Sequence, residues 1–159
     1  MEFKLEDSVN HRIATLAILL KRQVFRIIAE NKLDITPEQW VIMYYLWQQN
    51  NLTVGELASR SGKDFANVTR IVVKLQKAGY VMKCKSEKDS RSTVVRLLPK
   101  AEEIKDKIHQ CWKQSSELAL QGISQSEQTQ LLTTIAKIET NILAKMELGW
   151  RSGNTRSPG

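Results

Sequence analysis

Two helix-start signals constrain the fold of this chain more than any other local feature. Thr36 is followed three residues later by Gln39, and Thr53 is followed three residues later by Glu56. This spacing lets the threonine side chain and the later side chain each bond the other's backbone N–H at a helix start. Pro37 also suits the first position of a helix. The sequence therefore predicts two helices that begin one after the other in the first third of the chain.

A third helix follows closely and leads into a hairpin. The stretch FANVTRIVVKLQK begins two or three residues after Gly62, which is the length of a helix-turn-helix joint. Gly79 marks its end, because glycine readily adopts the left-handed conformation just beyond a helix. The segments YVMKCKS and STVVRLL then indicate two short strands joined by the charged loop EKDSR. The fold class predicted is mainly α-helical, with a helix-turn-helix and a small β-hairpin wing.

Three further helices flank this unit, and each carries an apolar stripe. They are expected over about residues 7–32, from Pro99 to about Gln121, and onward from a capping box at Ser124 and Glu127. None has an evident partner inside the winged unit, so a two-fold homodimer would bury their stripes best. The predicted parts are an N-terminal dimerisation helix at 1–34, a winged helix-turn-helix at 35–98, C-terminal dimerisation helices at 99–148 and a disordered tail at 149–159.

The net charge of +7 is concentrated in one quarter of the chain. Between Arg60 and Lys100 there are eleven Lys or Arg side chains and only three acids, which gives this segment a charge of +8. The rest of the chain holds thirteen bases and fourteen acids. A surface exposed only to water has no need to gather cations in this way, whereas a surface that docks on a polyanion does.

Several classes of protein are disfavoured by the sequence. The longest uncharged apolar stretch, Ile13 to Leu20, is too short for a membrane span and lacks a signal-peptide layout. A soluble cytoplasmic protein without a membrane partner is therefore expected. The two cysteines, Cys84 and Cys111, are too few for a disulfide framework and are expected to be reduced. No nucleophile elbow or phosphate-binding loop is present, so neither an enzyme nor a cofactor is predicted. No metal site is predicted either, because the chain has only two histidines, and His109 and Cys111, two apart on a helix, point to different faces.

The helix at 65–78 carries an unusual outer surface. A helical wheel places Val68, Val72 and Leu75 on the core side, and small, polar and basic residues opposite. In a DNA major groove, Asn67 and Thr69 would hydrogen-bond bases or phosphates, Arg70 would bond guanine and Val73 would meet a thymine methyl. A solvated helix surface is the alternative, which the concentrated charge disfavours. The predicted DNA contacts on and before this helix are Lys63, Ala66, Asn67, Thr69, Arg70, Val73 and Lys74.

The charged hairpin loop predicts a second contact with DNA. Arg91 is expected to enter a minor groove, where narrow A·T tracts concentrate negative potential. Asp89, two residues earlier, would orient that guanidinium through a forked ion pair. The alternative is a surface pair that contributes almost no stability. The remaining wing residues, Lys85, Ser86 and Lys88, would contact phosphates and add affinity without sequence preference.

In order and in residues, the chain resembles the MarR family of bacterial transcription regulators over about residues 10–145. The matching pieces are ITPEQWVIM, LTVGELASRSG, NVTRIVVKLQKAGYV and DSRSTVVRLL, and the wing has the family's D-x-R. Where that family usually reads L-T-x-x-G after the wing, residues 97–101 read LLPKA, a departure at the start of the next helix. The resemblance also implies a small aromatic or phenolic effector bound between the winged unit and the dimer layer. Its implied lining is His11, Arg12, Trp40, Tyr44, Trp47 and Trp112.

These observations favour one function over two alternatives. The expected function is that of a homodimeric, sequence-specific DNA-binding transcription regulator, a repressor that a small molecule releases from a pseudo-palindromic double-stranded operator. A thiol-based redox sensor that uses Cys84 or Cys111 is the first alternative. A winged-helix module for protein interaction is the second, and the +8 segment disfavours it. A tryptophan and tyrosine stripe at helical spacing is also typical of an ordinary core, which is the competing explanation for the effector residues.

Overall fold

The helices and strands follow the start and stop signals of the sequence closely. A computed structural model describes residues 4–153, with side-chain burial given for residues 4–146. After one 3₁₀ turn at Leu5–Asp7, the elements are α1 Val9–Glu30, α2 Pro37–Gln48, α3 Val54–Ser61, α4 Phe65–Lys77, β1 Val81–Lys85, β2 Thr93–Leu97, α5 Pro99–Ala119 and α6 Gln125–Gly153. The predicted class, mainly α with one hairpin, is confirmed. The chain divides into two compact units, one ending at Ala119 and one beginning at Leu120.

Both predicted capping boxes are present. The Thr36 side chain accepts the N–H of Gln39 at 3.2 Å, and the Gln39 side chain accepts the N–H of Thr36 at 2.8 Å. At α3 the corresponding bonds between Thr53 and Glu56 are 3.1 and 2.7 Å. Each box satisfies backbone N–H groups that a helix start otherwise leaves unpaired. The helix ends also agree, since Gly79 takes a left-handed φ of 78° immediately after α4.

One hydrophobic core joins the winged unit to α1 and α5. Inside the winged unit its centre is formed by Ile42, Met43, Leu46, Leu57, Val68, Val72 and Leu75. The same core includes Val24, Ile27 and Ile28 of α1 together with Ile108 and Cys111 of α5. The sequence-based expectation that these two helices lack a partner in the winged unit is therefore wrong. Their apolar stripes serve that core over only part of their length.

The two halves of α1 lie in different environments. One face of its C-terminal half is buried through Val24, Ile27 and Ile28, and Gln23 there accepts a hydrogen bond from Ser115 of α5. Its N-terminal half leaves large apolar side chains in contact with solvent, such as Ile13 at 42% exposure and Leu16 at 51%. Ser8 occupies the N-cap position, but its side chain makes no capping hydrogen bond. An apolar surface therefore remains uncovered along this half of α1 within one chain.

The wing is a two-stranded antiparallel hairpin with an additional backbone anchor. Val81 pairs with Leu97 at one end and Lys85 with Thr93 at the other. Leu52, in the connection between α2 and α3, adds one bridge to β2 through a 2.7 Å bond from the N–H of Val95. Because Leu52 is also fully buried, this bridge fixes the root of the wing to the helix-turn-helix.

The second unit contains α6, whose start is as expected. Ser124 and Glu127 form the predicted reciprocal cap, with the N–H of Ser124 bonded to Glu127 at 2.8 Å. Leu132 at 68% and Leu143 at 59% exposure leave its apolar stripe open to solvent. A disordered tail is expected from residue 149, but α6 continues to Gly153. The helix can pass through Gly149 because one interior glycine costs a helix only about 1 kcal/mol. The remainder of that tail, 154–159, lies outside the described residues. Over the part described, no helix is long and apolar enough to cross a membrane.

Candidate functional site

Helix α4 has one face fixed to the core and one left open. Asp64 is its N-cap, and this carboxylate accepts the N–H of Asn67 at 2.8 Å. Val68, Ile71, Val72 and Leu75 are the buried residues of α4 and fasten it to α2, α3 and β1. The spacing of these apolar residues, at three and four, forces the intervening residues outward. The sequence thereby fixes which surface of the helix can meet a partner.

The predicted contact residues share that outer surface. Ala66, Arg70, Val73 and Lys74 are exposed. The remaining three, Lys63, Asn67 and Thr69, are half-buried. Thr69 donates its hydroxyl to the carbonyl of Phe65 at 2.8 Å, so its oxygen is left as an acceptor for any external partner. Sequence reasoning missed Phe65, the first residue of α4, whose side chain is 63% exposed.

Most of the basic side chains in this region have no acidic partner. Within residues 4–153, Arg96 is the one base of the +8 segment that takes part in an ion pair, with Glu87 at 2.9 Å. The other bases of α4 and the wing, including Arg70, Lys74, Lys85 and Lys88, form no ion pair with an acid in this part of the chain. Free cations gathered on one side of a protein raise the local concentration of a polyanion.

The wing tip is organised by Asp89 in a way that differs from the sequence-based expectation. Its carboxylate accepts the backbone N–H of Arg91 at 3.0 Å and the hydroxyl of Ser92 at 2.8 Å. A forked ion pair with the Arg91 guanidinium is not among the ion pairs of the described part of the chain, so that expectation is wrong. In a tight turn, the short side chain of an Asp reaches the backbone N–H two residues later more readily than it reaches the end of a long side chain there. These bonds hold the pKa of Asp89 below its ordinary value of 3.8.

Two further contacts set the position of the wing relative to α4. Arg96 bonds Asn51 at 2.8 Å through Nε and Glu87 through Nη2, which ties β2 both to the α2–α3 connection and to the wing loop. Just beyond the root of the hairpin, Lys100 donates to the carbonyl of Ala78 at 2.7 Å, where α4 ends. A cation at a helix C-terminus stabilises the unpaired carbonyls there. Arg96 and Lys100 therefore position the site and do not belong to its open surface.

Predicted effector residues from α2 and α5 meet in an aromatic cluster, formed by Trp40, Tyr44, Trp47, His109 and Trp112. Trp40 and Trp112 stack with ring centroids 4.0 Å apart. His109 lies edge-on to Trp47 at 5.2 Å and to Trp40 at 6.2 Å. The prediction had omitted His109, although its spacing of three residues from Trp112 on a helix puts both on one face.

This cluster has more hydrogen-bonding groups than its own residues can satisfy. The indole nitrogens of Trp40, Trp47 and Trp112 and Nε2 of His109 are buried without a hydrogen-bond partner among the described residues. Buried polar atoms usually find partners, because leaving one unpaired costs about 1–3 kcal/mol. Four such atoms in one cluster mark a place where a molecule with acceptor atoms would be stabilised.

The other two predicted effector residues lie elsewhere. The hydrogen bond between Gln23 of α1 and Ser115 of α5 shows which part of α1 lies beside Trp112. His11 lies twelve residues before Gln23 on α1. At 1.5 Å per residue that is about 18 Å along the helix. Arg12 lines a shallow groove on α1 with Ile13 and Leu16. A single chain therefore does not bring His11 and Arg12 to the aromatic cluster.

The two cysteines differ in their surroundings. Cys111 is buried in the core, and burial raises the pKa of its thiol, which opposes formation of a reactive thiolate. Cys84 is half-buried on β1, where it pairs with Val94 of β2. Because Cys84 is the more accessible of the two thiols, it is the one that a redox mechanism would use.

The segment that holds α4 and most of the wing matches a known protein family. The family model described as MarR family matches residues 35–93, from the start of α2 to the start of β2. In sequence, the chain is similar to an uncharacterised HTH-type transcriptional regulator of Bacillus subtilis, YfiV, with 34% identity over 73 residues, 46% of each protein. Matches to the curated relatives span 46% to 66% of the length of those proteins.

Solved structures match over nearly the whole chain. The fold is similar to that of BpsR from Bordetella bronchiseptica, whose DNA binding is regulated by 6-hydroxynicotinic acid, with a TM-score of 0.80, 15% identity and coverage of 87% of this chain and 98% of that one. It is also similar to the repressor CouR, solved on a 23-mer DNA duplex, with a TM-score of 0.75, 17% identity and coverage of 87% and 99%. The winged helix-turn-helix fold is thus shared, and within it residues 35–93 match the MarR family model.

Proposed function

We propose that the chain is a homodimeric, sequence-specific DNA-binding transcription regulator, a cytoplasmic repressor that a small aromatic or phenolic molecule releases from its operator. The observation that carries this proposal is the outer surface of α4, which is open to solvent and bordered by bases that lack acidic partners. The shared fold of CouR, which was solved on a DNA duplex, supports it. In a dimer, two copies of α4 would read successive major grooves, about one helical turn apart.

The contact roles are assigned by chemistry. Arg70 presents a guanidinium whose forked donors match guanine O6 and N7, and Asn67 offers donor and acceptor atoms to adenine. Lys63, Lys74, Lys85 and Lys88 would contact phosphates, with Ser86 beside them, and Arg91 at the wing tip would enter the minor groove. Ala66 and Val73 allow close approach and apolar contact.

The aromatic cluster of α2 and α5 is the proposed effector site. Its ring faces suit a planar aromatic molecule, and its unpaired indole N–H groups suit the oxygen acceptors of a phenol or carboxylate. BpsR, which shares the fold, is regulated by 6-hydroxynicotinic acid. Rings 4.0 Å apart leave no gap for a third ring. An effector that entered between these two rings would therefore move Trp40 or Trp112, and the latter belongs to α5, whose first turn holds the end of α4 through Lys100.

A salt titration of DNA affinity tests this proposal. Duplexes selected from a random library by the purified chain would be labelled, and Kd would be measured by fluorescence anisotropy at increasing salt. For 6–10 phosphate contacts in the dimer, affinity should fall by roughly 10³–10⁵-fold between 50 and 200 mM salt. A slope near zero would contradict DNA binding. Phenolic and aromatic acids would then be added to the complex, with tryptophan emission as the second signal, and release without an emission change would contradict the proposed effector site.

A further inference from the structure

Three side chains on the open side of α4 form a row that core packing does not explain. Phe65, Thr69 and Val73 are four residues apart, so they lie on one ridge of the helix. Phe65 is 63% exposed and Val73 is 38% exposed. The core contacts of α4 come instead from residues such as Val68 and Val72, which are fully buried. The row is therefore an apolar ridge without a partner inside the chain's described residues.

The middle residue of the ridge adds to its apolar character. The Thr69 hydroxyl donates to the Phe65 carbonyl at 2.8 Å, so its proton is already engaged. What Thr69 offers to an external molecule is its methyl group and the lone pairs of its oxygen. The ridge thus presents a phenyl ring and aliphatic groups over two turns of helix.

The charges beside the ridge identify the kind of partner. Arg70 and Lys74 are exposed on the adjoining part of the same helix surface and have no acid within ion-pair distance in the described chain. A hydrophobic protein partner would leave these cations buried and unpaired. A DNA major groove offers phosphates at its edges and, on its floor, the C5 methyl group that thymine alone carries.

Resting on the DNA-binding function proposed above, we propose that Phe65 is a specificity-determining residue that reads thymine. Its ring contacts the C5 methyl of one thymine in each half-site, and Thr69 and Val73 extend the contact along the groove. The position supports this role, because the first residues of a recognition helix are those that reach base edges. The ring at Phe65 costs no core packing when it is replaced, since most of it is exposed.

Replacement of single thymines by uracil tests the contact, because uracil lacks only the methyl group. Operators selected from random duplexes would be made with each thymine replaced in turn, and Kd would be measured for the full-length chain. The wild-type protein should bind about four-fold more weakly at one thymine per half-site, the effect of losing one buried methyl group. Phe65→Ala should bind both duplexes equally, while Phe65→Leu, which keeps an aliphatic contact, should retain most of the difference.

Lys74→Ala is the matched control, since it removes a phosphate contact from the same helix. It should weaken binding to both duplexes and leave the thymine-to-uracil ratio unchanged. Wild-type binding that is indifferent to uracil at every position, or a ratio that persists in Phe65→Ala, would overturn the role of Phe65 while leaving DNA binding intact. Failure of the wild-type chain to bind any duplex in a salt-dependent way would instead overturn the proposed function, and this inference with it.

Discussion

At the scale of single residues, Asp89 shows how an acid can serve a surface that is proposed to bind a polyanion. Its charge repels phosphates, but its oxygens hold the Arg91 N–H and the Ser92 hydroxyl and so shape the wing turn. We therefore expect opposite effects from two substitutions. Asp89→Ala should weaken DNA binding roughly three- to ten-fold, because it removes the bonds that hold the wing turn. A loss of this size corresponds to the free energy of one or two hydrogen bonds. Asp89→Asn should bind as tightly as wild type or more tightly, because the amide oxygen still accepts and the negative charge is gone. Anisotropy titrations at fixed salt would measure both.

The pH dependence of the wing turn follows from the pKa of Asp89, which lies below its ordinary value in the folded chain. The ionised form is favoured by folding, so its contribution is complete above the ordinary pKa and is lost as the pH falls through the lower, folded value. The order of the wing should therefore be constant near neutral pH.

For the two substitutions, tighter DNA binding by Asp89→Ala than by Asp89→Asn would contradict the role of this carboxylate in holding the wing turn.

At the scale of elements, the N-caps decide how much each helix start contributes to stability. The Thr53 side chain accepts the N–H of Glu56, and the Thr53 N–H donates to the Glu56 carboxylate. Ser8 occupies the same position on α1 without a side-chain bond. Thr53→Ala should lower the free energy of unfolding by about 1 kcal/mol. Ser8→Ala, the matched control, should change it by less than about 0.3 kcal/mol, because it removes no capping bond. Urea denaturation followed by circular dichroism measures both, and equal losses would contradict the observed caps.

The same comparison shows why some elements are predictable from sequence and others are not. Thr36, Thr53 and Gly79 act on backbone within four residues, so the sequence alone locates these helix ends. The bridge from Leu52 to Val95 joins residues far apart in sequence, so no local sequence pattern predicts it. His109 is similar, since it matters only because α2 and α5 pack together.

Two misjudged features of the candidate site have the same physical origin. Phe65 lies at the start of the stretch predicted to be a helix, but its exposure is known only once the neighbouring helices are in place. For α1, the apolar stripe correctly predicted a helix, but the stripe could not show that one half joins the core while the other stays exposed. The periodicity of apolar residues predicts which face of a helix is apolar, but it does not predict which element packs against that face.

At the scale of the whole molecule, the proposed dimer explains apolar surface that one chain leaves uncovered. The N-terminal half of α1 exposes Ile13 and Leu16 by 42% and 51%, and α6 exposes Leu132 by 68%. Large exposed apolar patches on a folded chain usually mark an interaction site. A second copy of the chain is the proposed partner, because reading a pseudo-palindromic operator requires two recognition helices related by a two-fold axis.

Leu16→Glu tests this assembly without touching the core. The added charge cannot be buried unpaired in an interface, so the variant should sediment as a monomer where the wild-type chain sediments as a dimer. Its helical circular dichroism should persist, because Leu16 is 51% exposed and does not belong to the buried core. Operator affinity should fall at least a hundred-fold, since each monomer binds only one half-site and loses the gain in effective concentration from its partner. Arg26→Glu also places a glutamate on an exposed position of the same helix, and although it breaks the surface ion pair of Arg26 with Glu30, it should remain dimeric because an exposed pair of this kind contributes little. If Leu16→Glu stays dimeric and binds DNA normally, the dimer surface lies elsewhere than on the exposed half of α1.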